Sequence, residues 1–213
     1  MTSFCTGQSG QHAHSARGFD FYATPAIAVT ALLDANPKHL DPASVRIREP
    51  AAADGGIVLP LRERGFAVIA SDITARDFPL HFVSDFFLLT QAPAGTTTII
   101  TNPAYRSAQR FAEHAIDLAP DVFLLLRLCF LESVRRTDLL EHRGLYTLYV
   151  FRRRLPRMHR AGWNGRRTSS SICFAWFHWR RGSAVDPLSS ASKPNQGGHV
   201  PLARTERRTR HGY

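Results

Sequence analysis

Lysine is nearly missing from this chain. Only Lys38 and Lys193 are lysines, so the formal charge of +10, from 27 Lys+Arg against 17 Asp+Glu over 213 residues, is carried by arginine. Arginine pairs bidentately with phosphate and stacks on planar rings, which favours a polyanionic partner such as nucleic acid. Cysteine is also scarce: Cys5, Cys129 and Cys173 are odd in number, widely spaced and without a C-x-x-C pair. Neither a disulfide framework nor a zinc knuckle is supported, and no metal is expected. Long apolar runs are absent too. The most apolar stretch, "VFLLLRLCFL" (122–131), is too short to cross a bilayer and carries Arg127 in its middle. The first eighteen residues hold no apolar signal core, so the expected address is cytoplasmic. No G-x-G-x-x-G occurs, which disfavours a nicotinamide dinucleotide, and no internal repeat is evident.

What is present fits one α/β domain. Residues 1–18 are rich in Gly, Ser, Gln and His and read as a flexible N-terminal arm, and 182–213, rich in Ser, Pro, Gly and Arg, reads as a disordered basic tail. Between them, 19–181 alternates apolar β-runs with amphipathic segments. "ATPAIAVTALLDAN" predicts a helix with Thr24 as N-cap and Pro25 at its first position. "SVRIREP" predicts a strand ending at Glu49, "IVLPLRERG" a short helix stopped by Gly65, and "FAVIASDI" a strand ending at Asp72. "TTTIITNPAY" predicts a strand ending at Asn102, followed by a helix over 106–119, the strand "DVFLLLRL" and a helical stretch over about 130–142. The β-runs 144–151 and 171–179 follow with no helical crossover between them. Alternation of this kind implies right-handed βαβ units, hence a Rossmann-like, mostly parallel sheet with helices on both faces. The last two runs are expected to form an antiparallel pair at one edge.

Ligands of open parallel sheets bind outside the carboxyl ends of the strands, and the conspicuous residues of this chain fall there. A small-residue turn, "AAADGG", follows Glu49, and Asp72 closes the next strand. A glycine-containing turn followed by a carboxylate at the next strand tip can cradle an adenosine, the turn by close backbone approach and the acid by accepting ribose hydroxyls. Asp72 also suits a helix cap or a loop carboxylate, and Phe86 suits simple core packing. "NPAY" closes the later strand. Asn102 and the Pro103 carbonyl can together accept both hydrogens of an exocyclic amine, the fixed φ of Pro103 stiffens the bend, and Tyr105 offers a ring on which a flipped base can stack.

"EPAAADGG", "VIASDI", "SDFF" and "TNPAY", in this order, resemble the class I S-adenosylmethionine-dependent methyltransferases. The similarity is to the DNA adenine amino-methyltransferases marked by Asn/Asp-Pro-Pro-Tyr/Phe, and "YATP" (22–25) resembles their Tyr-x-Thr-Pro segment. The resemblance implies S-adenosylmethionine as cofactor, with Glu49, Ala51, Asp54 and Gly55 at its methionine part, Tyr22 and Thr24 beside that end, Asp72 at its ribose, and Asp85 and Phe86 at its adenine. It assigns Asn102, Pro103 and Tyr105 to catalysis on adenine in DNA. Two departures stand out: Ala53 and Ala104 occupy positions where the family usually has Gly and Pro. Acceptors other than DNA also suit the loop, namely RNA adenine or a protein glutamine, as does an inactive relative that only binds nucleic acid. The loop "FRRRLPRMHRAGWNGRRTSS" (151–170) suits a nucleic-acid contact, with Arg152, Arg153, Arg154, Arg157, Arg160, Arg166 and Arg167 for phosphates and Trp163 for stacking.

Overall fold

A computed structural model describes residues 22–36, 38–158 and 168–182, together with the backbone of 202–205. Its eight strands are β1 (Arg46–Glu49), β2 (Ala67–Asp72), β3 (Phe82–Val83), β4 (Thr98–Thr101), β5 (Asp121–Arg127), β6 (Leu145–Phe151), β7 (Phe174–Arg180) and β8 (Leu202–Thr205). Three α-helices accompany them: α1 (Ala26–Ala35), α2 (Val58–Glu63) and α3 (Ala108–Leu118). The strands form one sheet in the order β3-β2-β1-β4-β5-β7-β6-β8. Pairing is parallel from β3 through β5 and antiparallel from β5 outward.

The sheet separates two apolar cores. Along β5, Phe123 and Leu125 enter the core that holds Ala28, Leu32 and Leu61 of α1 and α2, whereas Val122, Leu124 and Leu126 enter the core that holds Phe111 and Ala115 of α3. A strand buried on both faces needs such an unbroken apolar run. Two indoles tie the layers: Trp176 Nε1 donates to the Ala28 carbonyl at 2.8 Å, and Trp179 Nε1 donates to the Leu139 carbonyl at 3.0 Å. No helix among the described residues is long and apolar enough to cross a membrane.

The expected parallel sheet with helices on both faces is present, and so is the antiparallel pair, although β7 lies inside the sheet between β5 and β6. Several expectations change. Pro25, not Thr24, is the N-cap of α1, with φ −65° and ψ 133°, and no side chain caps the helix. The Thr24 hydroxyl is engaged elsewhere. Helix α3 starts two residues later than expected, because a 3-10 turn over Tyr105–Ser107 precedes it. The helical stretch over 130–142 is broken into 3-10 turns at Leu128–Glu132 and Val134–Arg136 and a π-turn at Asp138–His142. Ser133 between them is extended, and the Thr137 hydroxyl donates to the Val134 carbonyl at 2.8 Å, a local bond that competes with a continuous ladder. The tail from 182 is not wholly without structure. Leu202–Thr205 pairs antiparallel with β6, whose outer edge would otherwise leave its N–H and C=O groups unpaired. The 1–18 arm and the rest of the tail beyond Gly182 lie outside the described residues.

Candidate active site

A cavity of about 350 Å³ opens where β1, β2 and β4 end. Its walls come from four loops: Tyr22 before α1, Ala51 and Ala53 after β1, Asp72, Ile73 and Arg76 after β2, and Asn102 to Tyr105 after β4. The 3-10 turn Phe86–Leu88 and helix α3 complete it through Asp85, Phe86, Phe87 and Phe111. A narrow cleft beside it is lined by Thr24, Asp54, Gly56 and Ile57, and it shares Tyr22, Ala51, Ala53 and Asn102 with the main cavity.

The turn after β1 is built for close packing. Gly55 has φ +82°, and a Cβ on it would fall 2.3 Å from the Phe78 ring; a Cβ on Gly56 would fall 2.8 Å from the Thr24 carbonyl. Gly55 itself lines neither space, so its part is conformational. Ala53 adopts φ 49°, alone among the described non-glycine residues in having a positive φ. Its N–H donates to Asp72 Oδ2 at 3.0 Å, while Asp72 Oδ1 accepts from the Thr74 N–H at 2.9 Å. Asp72 therefore braces two loops from one carboxylate at the cavity wall. Each of its oxygens keeps a second lone pair for a ligand hydroxyl. Asp85 caps the following 3-10 turn, accepting from the Phe87 N–H at 2.9 Å. Phe86 is buried and stacks on Phe111 at 4.4 Å between centroids, so it packs the core and walls the cavity at once.

Glu49 departs from the position expected of it. It is fully buried and absent from the walls of both spaces, accepting instead from the Ala51 N–H at 2.9 Å. Burial, with the nearby charge of Asp72 as a lesser cause, pushes its pKa up to about 8. It steadies the turn from behind. Neighbouring Arg48 is also fully buried; its Nη2 donates to Ser71 Oγ at 3.2 Å and its guanidinium lies 5.1 Å from the Phe82 ring centroid.

The bend after β4 is held from three directions. Asn102 Nδ2 donates to Thr24 Oγ1 at 3.1 Å and touches Met158 Sδ at 3.8 Å. With the amide so turned, Asn102 Oδ1 is buried and has no hydrogen-bond partner among the described residues. Tyr105 is half-buried: Tyr22 stacks on it at 5.6 Å and 28°, and the Arg127 guanidinium lies 4.1 Å from its ring centroid.

The basic loop returns toward this site. Leu155 and Met158 are buried, while Arg152, Arg153, Arg154 and Arg157 are exposed, with Arg154 Nη1 donating to the Ser171 carbonyl at 2.8 Å. Arg160, Trp163, Arg166 and Arg167 lie outside the described residues. Met158, Arg127 and Arg76 escaped the sequence reading. A methionine in a charged loop and an arginine ending an apolar strand announce nothing until the chain folds back.

No known protein-family profile matches the chain, and neither does any curated protein. Among solved structures it is similar to a candidate RNA methyltransferase from Pyrococcus horikoshii, with a TM-score of 0.53 and 16% identity over 75% of this chain and 86% of that one. A Thermoplasma acidophilum protein gives 0.49 and 15% over 73% and 85%. Magnesium protoporphyrin IX methyltransferase from Synechocystis, with S-adenosylmethionine bound, gives 0.46 and 14% over 74% and 78%. What the first of these likenesses carries is the fold, and the sheet described above is the Rossmann-like sheet of the class I methyltransferases.

Proposed function

We propose that this chain transfers a methyl group from S-adenosylmethionine to the exocyclic amino group of adenine in nucleic acid, with DNA as the first acceptor to test. The carrying observation is the Asn102 amide. Its nitrogen is tied to Thr24, and its oxygen is buried without a partner among the described residues, in a residue that lines the same cavity as Asp72, Asp85 and Tyr105. A buried acceptor without a donor is costly in a folded protein and calls for a ligand to supply one.

The residues suit the cofactor. A cavity of about 350 Å³ falls in the range of small-molecule sites, with carboxylates at Asp72 and Asp85 for hydroxyl and amine donors and the Phe86 and Phe87 rings for a planar base. Bound there, S-adenosylmethionine supplies a methyl already activated by its sulfonium. The chain's own part is positioning. The amine of adenine is a poor nucleophile while its lone pair is delocalised into the ring. Asn102 Oδ1 and the Pro103 carbonyl would accept its two hydrogens, orienting that nitrogen and freeing its lone pair for attack. Tyr105, backed by the stacked ring of Tyr22, offers its other face to the base. The amine proton leaves to water after transfer, so no general base is required.

Asn102→Ala should cut incorporation of label from tritiated cofactor into DNA roughly a hundredfold or more while calorimetric cofactor binding is unchanged, and Asn102→Asp, which keeps an acceptor, should retain part of the activity. Full activity in Asn102→Ala would remove the residue from the mechanism. RNA is the second reading, favoured by the Pyrococcus horikoshii relative, which is named for that acceptor. Parallel incorporation into DNA, RNA and a protein extract separates the acceptors.

A further inference from the structure

Tyr105 does not offer an empty ring to a base. One guanidinium, that of Arg127, already lies 4.1 Å from its centroid. Arg127 is the last residue of β5, at the carboxyl end of the sheet beside the bend after β4, and it pairs with Phe174 across β7. It ends a run of five buried apolar residues, Val122 to Leu126. Its Nε is buried and has no hydrogen-bond partner among the described residues, and no ion pair reaches it there. An arginine held at such a place by stacking alone has its donors unspent.

We propose that Arg127 is the positioning residue for a phosphate-bearing acceptor: it holds the Tyr105 face until a nucleotide arrives, then yields that face to the base and pairs with the phosphate beside it. The inference rests on the nucleic-acid reading above and narrows it to a charged nucleotide rather than a neutral amide. A planar guanidinium can exchange a ring face for a phosphate fork because both contacts use the same rigid group, one its face and the other its edge. Charge complementarity supports the same partner. Arg106, immediately after Tyr105, and Arg135, shortly after β5, are exposed, as are four arginines of the loop that returns through Met158 to Asn102.

The test is a binding measurement that does not depend on methyl transfer. A labelled single-stranded dodecamer with one adenine is prepared with ordinary phosphodiester or with neutral methylphosphonate linkages flanking that adenine. Binding is followed by fluorescence anisotropy at several salt concentrations. The wild-type protein should prefer the charged linkages by roughly tenfold. Arg127→Met, which keeps the apolar stem, should lose that preference and lower the salt slope by about 0.7, the value of one phosphate on a single strand. Arg127→Gln serves if the methionine variant melts early. Retention of the preference by the variants, or its absence in the wild type, overturns the proposal. Methyl incorporation by the same wild-type preparation is read separately, so a failure of transfer with an intact linkage preference sinks the transferase reading and not this one.

Discussion

Ala53 shows how one methyl group can set the state of a site. Its φ of 49° lies in the left-handed region, which costs an L-residue with a Cβ about 1–2 kcal/mol, and Asp72 holds it there through its N–H. Glycine would relieve that strain but would lose about 0.4–1 kcal/mol through a freer unfolded chain. Ala53→Gly should therefore stabilise the protein by about 0.5–1 kcal/mol and raise Tm by about 1–3 °C, measured by scanning calorimetry. A lower Tm would show that the turn is not strained. Ala104 carries no such burden, since its φ of −56° is one that proline also adopts. Both positions were legible in the sequence, because the resemblance expects Gly and Pro there and the chain has Ala. The partners of Asn102 were not legible. The sequence makes Thr24 a helix cap and, by the resemblance, a neighbour of the cofactor, whereas only the fold brings its hydroxyl within 3.1 Å of a residue 78 positions away.

At the scale of the element, β1 and β7 each carry an ionisable group into a core. On β7, His178 is fully buried, stacks on Phe123 at 3.9 Å, and its Nε2 contacts Asp121 Oδ1 at 2.7 Å. Burial outweighs the pull of Asp121 and lowers its pKa from the ordinary 6.5 to about 4. The unfolded chain takes up a proton below pH 6.5 that the folded chain refuses until about pH 4. The stability His178 contributes is thus complete above pH 6.5 and is lost as pH falls to 4, on the order of 3 kcal/mol at most. Glu49 on β1 works in the opposite direction. Its pKa is raised from 4.5 to about 8, so its contribution is complete below 4.5 and declines as pH rises through 8. Thermal melts against pH should show Glu49→Gln flattening the alkaline limb and His178→Phe flattening the acid limb. Unchanged limbs would show that neither group titrates differently on folding. Strands β1, β2, β4, β5 and β6 were readable within two residues, because β5 is an unbroken apolar run and Glu49, Asp72 and Thr101 sit where such runs stop; β7 begins three residues later than expected, and β3 and β8 were not among the expected strands. The region from 128 to 142 was not, since helical periodicity persists in the sequence while Ser133 is extended and the Arg136 Nη1 donates back to the Phe130 carbonyl at 2.6 Å.

For the whole molecule the deciding quantity is its charge of +10. If the exposed arginines of the loop after β6 face phosphates, replacing Arg152, Arg153, Arg154 and Arg157 with Gln should reduce the slope of log K against log salt for duplex DNA by up to about 3–4, read by anisotropy titrations. An unchanged slope would make them solvated surface only. The strand order has a consequence of a different kind, in time. Strand β7 is seventh along the chain but sits in the interior of the sheet, zipped to β5 through seven residue pairs and to β6 on its other side. A nascent chain that has emerged only as far as β6 therefore holds an open flank on β5 and lacks Trp176, whose indole closes the layer over Ala28. The sheet can close only when residues 174–180 leave the ribosome, so β5 and β6 must wait for a later segment before the protein can become fully native.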